Sequence, residues 1–149
     1  AFVDLDQEIE RHCGVPVGTV FELEGEAGFR RRESDMLDHC TQPQGIVLAT
    51  GAGAVLDPVN RQRLAARGYV LWLQAGIEQQ LERLARDTKR PLLAGEDRRA
   101  KLAAMREARE PLYRELADLV LPDEHESVHA ATQRAIALID THWNRTRAA

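Results

Sequence analysis

Cysteine is scarce in this sequence: the 149 residues include only Cys13 and Cys40. Two cysteines cannot build the disulfide network that staples many small secreted proteins, and free cysteines are typical of a reducing compartment. The sequence also lacks any apolar run near the ~18 residues that a membrane-spanning helix needs. We therefore expect a cytoplasmic protein with no membrane-inserted part.

Positive charge and aromatic residues are also in short supply. The 20 lysines and arginines are outnumbered by 24 aspartates and glutamates, which gives a formal net charge of −4, and aromatic residues make up 5% of the chain. A general nucleic-acid-binding protein needs a basic surface, often with aromatic rings that stack on bases, so the composition argues against that class. A length of 149 residues with 44% hydrophobic residues predicts one globular domain, residues 1–149, with its own core.

Short apolar runs alternate along the chain with longer amphipathic runs. The short runs predict buried strands at residues 2–3, 46–50, 69–73 and 119–121. The longer runs predict helices at residues 6–11, 25–40, 58–66, 76–86, 99–116 and 127–143, with Ser127 as the N-cap of the last. Strands that alternate with helices indicate an α/β fold, in which helices cover both faces of a parallel sheet. Ligands of such sheets bind beyond the carboxyl ends of the strands.

Two carboxylates follow the first predicted strand. Asp4 and Asp6 lie two residues apart, so in an extended backbone their side chains would point to the same side. Such a pair suits a magnesium ion with its water shell, or a substrate hydroxyl. The alternative is that Asp6 only caps the helix that follows, which would leave Asp4 without a role.

The strand at residues 46–50 ends in Gly51-Ala52-Gly53. Glycines at a strand end indicate either a close approach of another group to the backbone or a plain tight turn, and the motif alone does not separate the two.

Arginines mark three further places. Arg30 is the first of three consecutive arginines, and because neighbours on a helix diverge by about 100°, only one or two of the three can face the same site. Pro91 and Gly95 interrupt the helical pattern of residues 89–99, which predicts either a surface loop or a lid that brings Arg90 over phosphates. Arg109 precedes Pro111 in a helical stretch, where a kink is expected.

Five segments together resemble the shikimate kinases in order and spacing, from Phe2 to about Leu138: FVDLDQEIE, FELEGEAGFRRRE, GIVLATGAGAV, RPLLAG and AREPLY. The resemblance implies transfer of the γ-phosphoryl group of ATP, with Mg²⁺, to the 3-hydroxyl of shikimate in aromatic amino-acid (chorismate) biosynthesis. It also implies a P-loop kinase fold of the nucleoside-monophosphate-kinase type. That fold has three layers, a parallel sheet of strand order 2-3-1-4-5 and a mobile lid, here about residues 87–100. The expected partners are shikimate and ATP, and the expected state is a monomer.

The resemblance also assigns the substrate site. Asp6 matches the carboxylate that binds the substrate hydroxyls and orients or deprotonates the nucleophile. Arg30 and Arg109 match the arginines that grip the substrate carboxylate. Gly51, Ala52 and Gly53 match the backbone turn that lies against the substrate.

The same resemblance assigns the nucleotide site. Arg90 matches the lid arginine that reaches the phosphates, and Arg83 matches the arginine that stacks on adenine. The loop at residues 122–126 would close the other face of the adenine. Asp4 matches the acidic residue that contacts magnesium through water.

The chain departs from the family pattern in two places. The phosphate loop, Gly-x-x-x-x-Gly-Lys-Ser/Thr, occurs nowhere in the 149 residues. We therefore expect a piece of a longer protein, inactive by itself, that lacks the first strand and first helix of this fold. The first strand would lie between the strands at residues 46–50 and 69–73. The second departure is Ala52, where the family has a third glycine. We expect a negative φ there, with Gly51 and Gly53 taking any awkward angle.

Two other functions stay open at this point. A related P-loop kinase for another small hydroxy acid, such as gluconate, would share the fold without needing Arg30 and Arg109 to converge. A non-catalytic shikimate-binding remnant would keep the substrate pocket and lack phosphoryl transfer.

Overall fold

The computed structural model describes residues 1–84 and 97–143 of the chain. Its strands are β1 (Phe2–Asp4), β2 (Val47–Ala49), β3 (Leu71–Gln74) and β4 (Leu119–Pro122). Its α-helices are α1 (Leu5–Cys13), α2 (Val17–Cys40), α3 (Pro58–Arg67), α4 (Ile77–Leu84), α5 (Arg98–Leu116) and α6 (Val128–His142), and a short 3-10 helix spans Ala54–Leu56. The predicted alternation of strands and helices is confirmed.

The strands form two parallel pairs. β1 pairs with β2 so that Val3 lies opposite Leu48, and β3 pairs with β4 so that Trp72 lies opposite Val120. Within the described residues β2 and β3 are not hydrogen-bonded to each other, so there are two separate two-stranded sheets. In the predicted order 2-3-1-4-5, strand 1 is the expected further strand, so β1 to β4 correspond to strands 2 to 5. The two observed pairs are then the two outer pairs, 2-3 and 4-5.

Local sequence explains where most helices begin and end. Asp57 accepts a hydrogen bond from the backbone N–H of Val59 and precedes a proline at the first helical position of α3, which is a favourable helix start. Ser127 caps α6, as the sequence predicts, by accepting from the N–H of Ala130. Gly14 ends α1 in the left-handed conformation that glycine adopts without strain.

The most informative differences from the sequence-based prediction concern α2 and α5. α2 begins at Val17, eight residues before the predicted start, and Gly25, with φ 68° and ψ −177°, separates its two helical segments. α5 begins at Arg98, so residues 98–100 of the predicted lid are helical. α5 also continues through Pro111 without interruption. A proline removes one backbone hydrogen bond, and burial of Leu102 and Leu116 offsets that loss.

The main core lies where α1 and α2 pack against the 3-10 helix. Leu5, Ile9 and Leu37 are at most 1% exposed, and the rings of Phe21 and Phe29 stack with centroids 4.4 Å apart. A buried side chain of this size stabilises the fold by about 1.5–3 kcal/mol. This packing fixes the first turns of α1 and the middle of α2 beside the end of β2. None of the helices in the two described ranges is long and apolar enough to cross a membrane.

Candidate active site

A partly buried ion pair on α2 forms the floor of the site. Arg30 Nη1 lies 2.6 Å from Glu33 Oε2, one helical turn away, and the Glu33 side chain is 1% exposed. Burial raises the pKa of Glu33, against the lowering effect of the Arg30 guanidinium. The charges of Asp6 and Arg109 also act on the pKa of Glu33, so charged side chains of α1 and α5 lie within electrostatic range of this pair.

The three consecutive arginines separate as the helical geometry predicts. Arg30 faces the Glu33 side of α2, whereas Arg32 lies 2.6 Å from Glu24 in an ion pair nearer the surface. Arg31 is exposed. One of the three arginines therefore lies at the site.

Arg109 reaches the same place from α5. It is 9% exposed, and burial lowers the pKa of its guanidinium, with a further lowering by the nearby charge of Arg30. Among the described residues its guanidinium has no hydrogen bond or ion pair. A buried guanidinium is costly without a partner, and it offers the fork of donors that binds a carboxylate.

Asp6 lies at the edge of the site, in the first turn of α1. Its Oδ1 is 3.7 Å from the point that a Cβ on Gly51 would occupy. The alternative that Asp6 caps this helix is wrong, because Asp4 is the N-cap and its Oδ1 accepts from the N–H of Gln7 at 3.1 Å. The strand passes directly into the helix at Asp4. The two carboxylates therefore do not share one extended segment, although both lie at the carboxyl end of β1.

Close contacts, rather than backbone angles, explain why the turn after β2 contains glycines. In the described residues Gly51, Ala52 and Gly53 all have φ outside the left-handed region, so the prediction for Ala52 is confirmed, and neither glycine has to adopt an angle that favours glycine. A Cβ added at Gly53 would lie 2.2 Å from Arg30 Nη2, and one at Gly51 would lie 3.1 Å from Glu33 Oε1. The turn packs directly on the Arg30–Glu33 pair.

Two side chains that the sequence analysis did not single out hold this turn. The Tyr113 hydroxyl donates to the carbonyl of Ala52. Asn60, 1% exposed, donates through Nδ2 to the carbonyl of Ala54 at 3.1 Å. Tyr113 lies four residues after Arg109, a spacing that places both on one helix face and could have drawn attention to it. Asn60 carries no comparable signal in the sequence.

Glu33, a third residue missed from the sequence, lies three residues after Arg30. Opposite charges at this spacing are neighbours on a helix, so the pattern was readable. The burial of Glu33 depends on packing against the turn after β2, so it could not be predicted from the sequence.

The predicted nucleotide residues are covered only in part. Arg83 belongs to α4, and Arg90 lies outside the described residues. A cavity of about 570 Å³ lies where β3 and β4 end, and the residues that line it include Gln74, Gln79, Pro122, Asp123 and His125. The predicted adenine loop, residues 122–126, therefore borders a cavity at the carboxyl ends of these two strands.

Comparisons with a family model, with curated proteins and with solved structures all find the same family. The shikimate kinase family model matches residues 1–140. The shikimate kinase of Bordetella pertussis is 57% identical over 120 residues, which are 80% of this chain and 57% of the relative. That of Methylococcus capsulatus is 48% identical over 146 residues, 98% of this chain and 82% of the relative. The chain thus spans a little over half the length of the Bordetella protein.

A solved structure, the shikimate kinase from Acinetobacter baumannii in complex with shikimate, superposes with a TM-score of 0.91 at 41% identity. The match covers 94% of this chain and 78% of that one. The shikimate kinase of Bacteroides thetaiotaomicron matches with a TM-score of 0.83 at 28% identity, over 93% of this chain and 83% of that one. The predicted α/β P-loop kinase fold is confirmed by these matches. The chain belongs to the shikimate kinase family.

Proposed function

We propose that the protein transfers the γ-phosphoryl group of ATP to the 3-hydroxyl of shikimate, a step of aromatic amino-acid biosynthesis. The observation that carries this proposal is the convergence of Arg30 and Arg109 from two helices beside Asp6. Two guanidinium groups next to a carboxylate suit a substrate that carries one carboxylate and several hydroxyls. The family membership and the shikimate bound to the Acinetobacter relative support the same substrate.

In this proposal the two arginines hold the substrate carboxylate. Arg109 has its donors available among the described residues, and Arg30 is held in place by Glu33 at 2.6 Å. Charge-assisted hydrogen bonds from two guanidinium groups fix both the position and the orientation of a carboxylate. The backbone of residues 51–53 borders the other side of the substrate, since its glycines already lie within contact distance of Arg30 and Glu33.

Asp6 is the proposed catalytic carboxylate. Phosphoryl transfer passes through a loose transition state in which little proton transfer precedes bond breaking, so positioning of the attacking hydroxyl matters most. An aspartate at the rim beside Gly51 can accept a hydrogen bond from that hydroxyl and aim it at the phosphorus.

The proposed nucleotide site combines Arg83, Arg90 and the loop at residues 122–126. Arg90 would bring positive charge to the transferring oxygens, and Arg83 would stack on the adenine. Mg²⁺ prefers carboxylate oxygens and retains several of its waters, which fits Asp4 at the carboxyl end of β1, whose Oδ1 also caps α1. The ion supplies charge neutralisation on the phosphates when bound. A cytoplasmic, monomeric enzyme is part of the proposal, and the free thiols of Cys13 and Cys40 favour that compartment.

The deciding experiment is an assay of ATP turnover on the complete gene product, with shikimate and gluconate as rival acceptors. We expect shikimate to be phosphorylated and gluconate not. We also expect the 149 residues alone to be inactive, because they carry no phosphate-loop motif. Preferential use of gluconate, or calorimetric binding of shikimate without turnover by the gene product, would contradict the proposal.

Arg109→Ala tests the proposed carboxylate contact. Loss of one partner of a buried charge pair costs about 2–5 kcal/mol, so the KM for shikimate should rise at least about thirtyfold. The KM for ATP should stay within about twofold, because the nucleotide residues are elsewhere. Arg114→Ala is the matched control, since Arg114 lies on the same helix with a 61% exposed side chain paired to Glu110. Equal effects of the two variants would refute the assignment.

A further inference from the structure

Tyr113 connects α5 to the turn after β2. Its hydroxyl donates to the carbonyl oxygen of Ala52, a residue 61 positions away in the sequence. Its ring stacks on Trp72 of β3, with centroids 5.3 Å apart and planes inclined by 22°. Burial raises the pKa of Tyr113, so the hydroxyl stays protonated at neutral pH and serves as a donor. Stacking therefore fixes the ring, and the hydroxyl donates its hydrogen bond to one backbone carbonyl.

Asn60 of α3 holds the same turn through a second carbonyl. Its Nδ2 donates to the carbonyl of Ala54 at 3.1 Å, and its Oδ1 accepts from the Ser34 hydroxyl at 2.8 Å. The carbonyls on either side of Gly53 are thus each bound by a side chain from a different helix. We call this pair of contacts, Tyr113 to Ala52 and Asn60 to Ala54, the turn clamp.

The position of Tyr113 on α5 links the turn to Arg109. Residues four apart lie on the same face of a helix, so Tyr113 and Arg109 project toward the turn together. Each also perturbs the pKa of the other, as neighbours in one electrostatic environment do. In the same turn, Gly53 packs against Arg30. A shift of α5 relative to the turn would therefore move Arg109 away from Arg30.

We propose that Tyr113 is a positioning residue for the acidic substrate: by binding the Ala52 carbonyl, its hydroxyl keeps the turn and Arg109 in register, so that both guanidinium groups meet one carboxylate. This inference rests on the proposed function. It adds a specific role for a hydroxyl that does not itself touch the reacting atoms. A misplacement of about 1 Å in such an arrangement is enough to weaken catalysis severely.

Tyr113→Phe removes the hydroxyl and keeps the ring that stacks on Trp72. In the complete gene product we expect the KM for shikimate to rise about three- to tenfold, the factor that one hydrogen bond of ordinary net strength represents. The KM for ATP should change by less than about twofold. A rise in the shikimate KM below about threefold, or an equal rise for ATP, overturns the inference.

Tyr69→Phe is the matched control. Tyr69 also packs against a tryptophan, Trp143, at a centroid distance of 5.4 Å, and its buried hydroxyl has no hydrogen-bond partner among the described residues. Its loss should leave both KM values unchanged. A shikimate KM raised equally by both variants would show a general effect of removing a tyrosine hydroxyl and would overturn the inference.

Hydrogen exchange separates this inference from the proposed function. The amides of Gly51 to Ala54 should exchange at least about threefold faster in Tyr113→Phe than in the parent protein, with the amides of α1 unchanged. This readout needs no substrate. If the parent protein fails to phosphorylate shikimate, the proposed function falls, whereas unchanged exchange in the turn overturns the role of Tyr113 whatever the substrate is.

Discussion

Gly53→Ala is the substitution that most directly tests how the site is built. The added Cβ would lie 2.2 Å from Nη2 and 2.3 Å from Cζ of Arg30. Non-bonded carbon atoms pack favourably at about 3.5 Å or more, so the guanidinium must retreat by roughly 1.3 Å. The backbone does not oppose alanine, because Gly53 has φ −90° and ψ −9°. Any effect therefore comes from the displaced arginine.

The size of the effect follows from what Arg30 holds. A displacement of about 1 Å in a substrate-positioning group costs about 10²-fold in rate, which corresponds to roughly 2.7 kcal/mol. The retreat also stretches the 2.6 Å contact with Glu33, whose side chain is 1% exposed and cannot turn to water instead. A buried group left without its partner costs about 1–3 kcal/mol, so we expect the free energy of unfolding to fall by that amount.

Two measurements carry this prediction. Steady-state kinetics on the complete gene product should show a loss of about 10²-fold in kcat/KM for shikimate. Denaturant titration should show the loss of stability. Gly68→Ala is the control: its Cβ would be 3.7 Å from the Leu64 carbonyl oxygen, an ordinary contact, so both quantities should stay near those of the parent.

A mutant cycle gives the refuting result. In a background that carries Arg30→Ala with Glu33→Gln, the crowding is gone and neither charge of the Arg30–Glu33 pair is left behind. Gly53→Ala should then change the free energy of unfolding by no more than about 0.5 kcal/mol. If it costs as much there as in the parent, the close approach of Arg30 is not the reason for the glycine.

Two further predictions concern carboxylates. Burial raises the folded-state pKa of Glu33 above its ordinary value of 4.5. The contribution of Glu33 to the free energy of unfolding is therefore fully present below pH 4.5 and is lost as the pH rises through the folded-state pKa. Denaturant titrations should therefore show Glu33→Gln gaining stability relative to the parent as the pH rises above 4.5, and the opposite trend would mean that the ion pair with Arg30 outweighs burial. Asp4→Asn should keep the cap of α1 and a free energy of unfolding within about 0.5 kcal/mol of the parent, whereas Asp4→Ala should lose about 1 kcal/mol. Both variants should need more Mg²⁺ for half-maximal turnover, and an unchanged Mg²⁺ requirement in Asp4→Asn would remove the metal role from Asp4.

Much of the fold was readable from the sequence because its signals are local. The apolar runs that became β1 to β4 and the cap at Ser127 depend on neighbours within a few residues. The helical segment before Gly25 was not predicted, since its packing surface is set by α1 and the 3-10 helix rather than by a clear period of its own. The predicted start of α1, residue 6, is one residue later than the observed start at Leu5, which is the usual uncertainty where a strand runs straight into a helix.

The residues of the candidate site also fall into two groups: those indicated by local motifs and those recognisable only from long-range contacts. The resemblance of the motifs pointed to Asp6, Arg30, Arg109 and the turn at residues 51–53, and the structure brings these together; Arg90 lies outside the described residues. The links that hold them, Glu33 at the floor and Tyr113 on Ala52, were missed. A contact between residues 61 positions apart leaves no mark in the local pattern of either segment.

The order of strands and helices, the carboxylates at the end of β1 and the family were thus determined by the sequence itself, because each depends on spacing along the chain. Only the tertiary structure decided which of three adjacent arginines faces the site and why Gly53 has no side chain. Both depend on the distance between α2 and the turn after β2, which is set by the packing of the core beneath them.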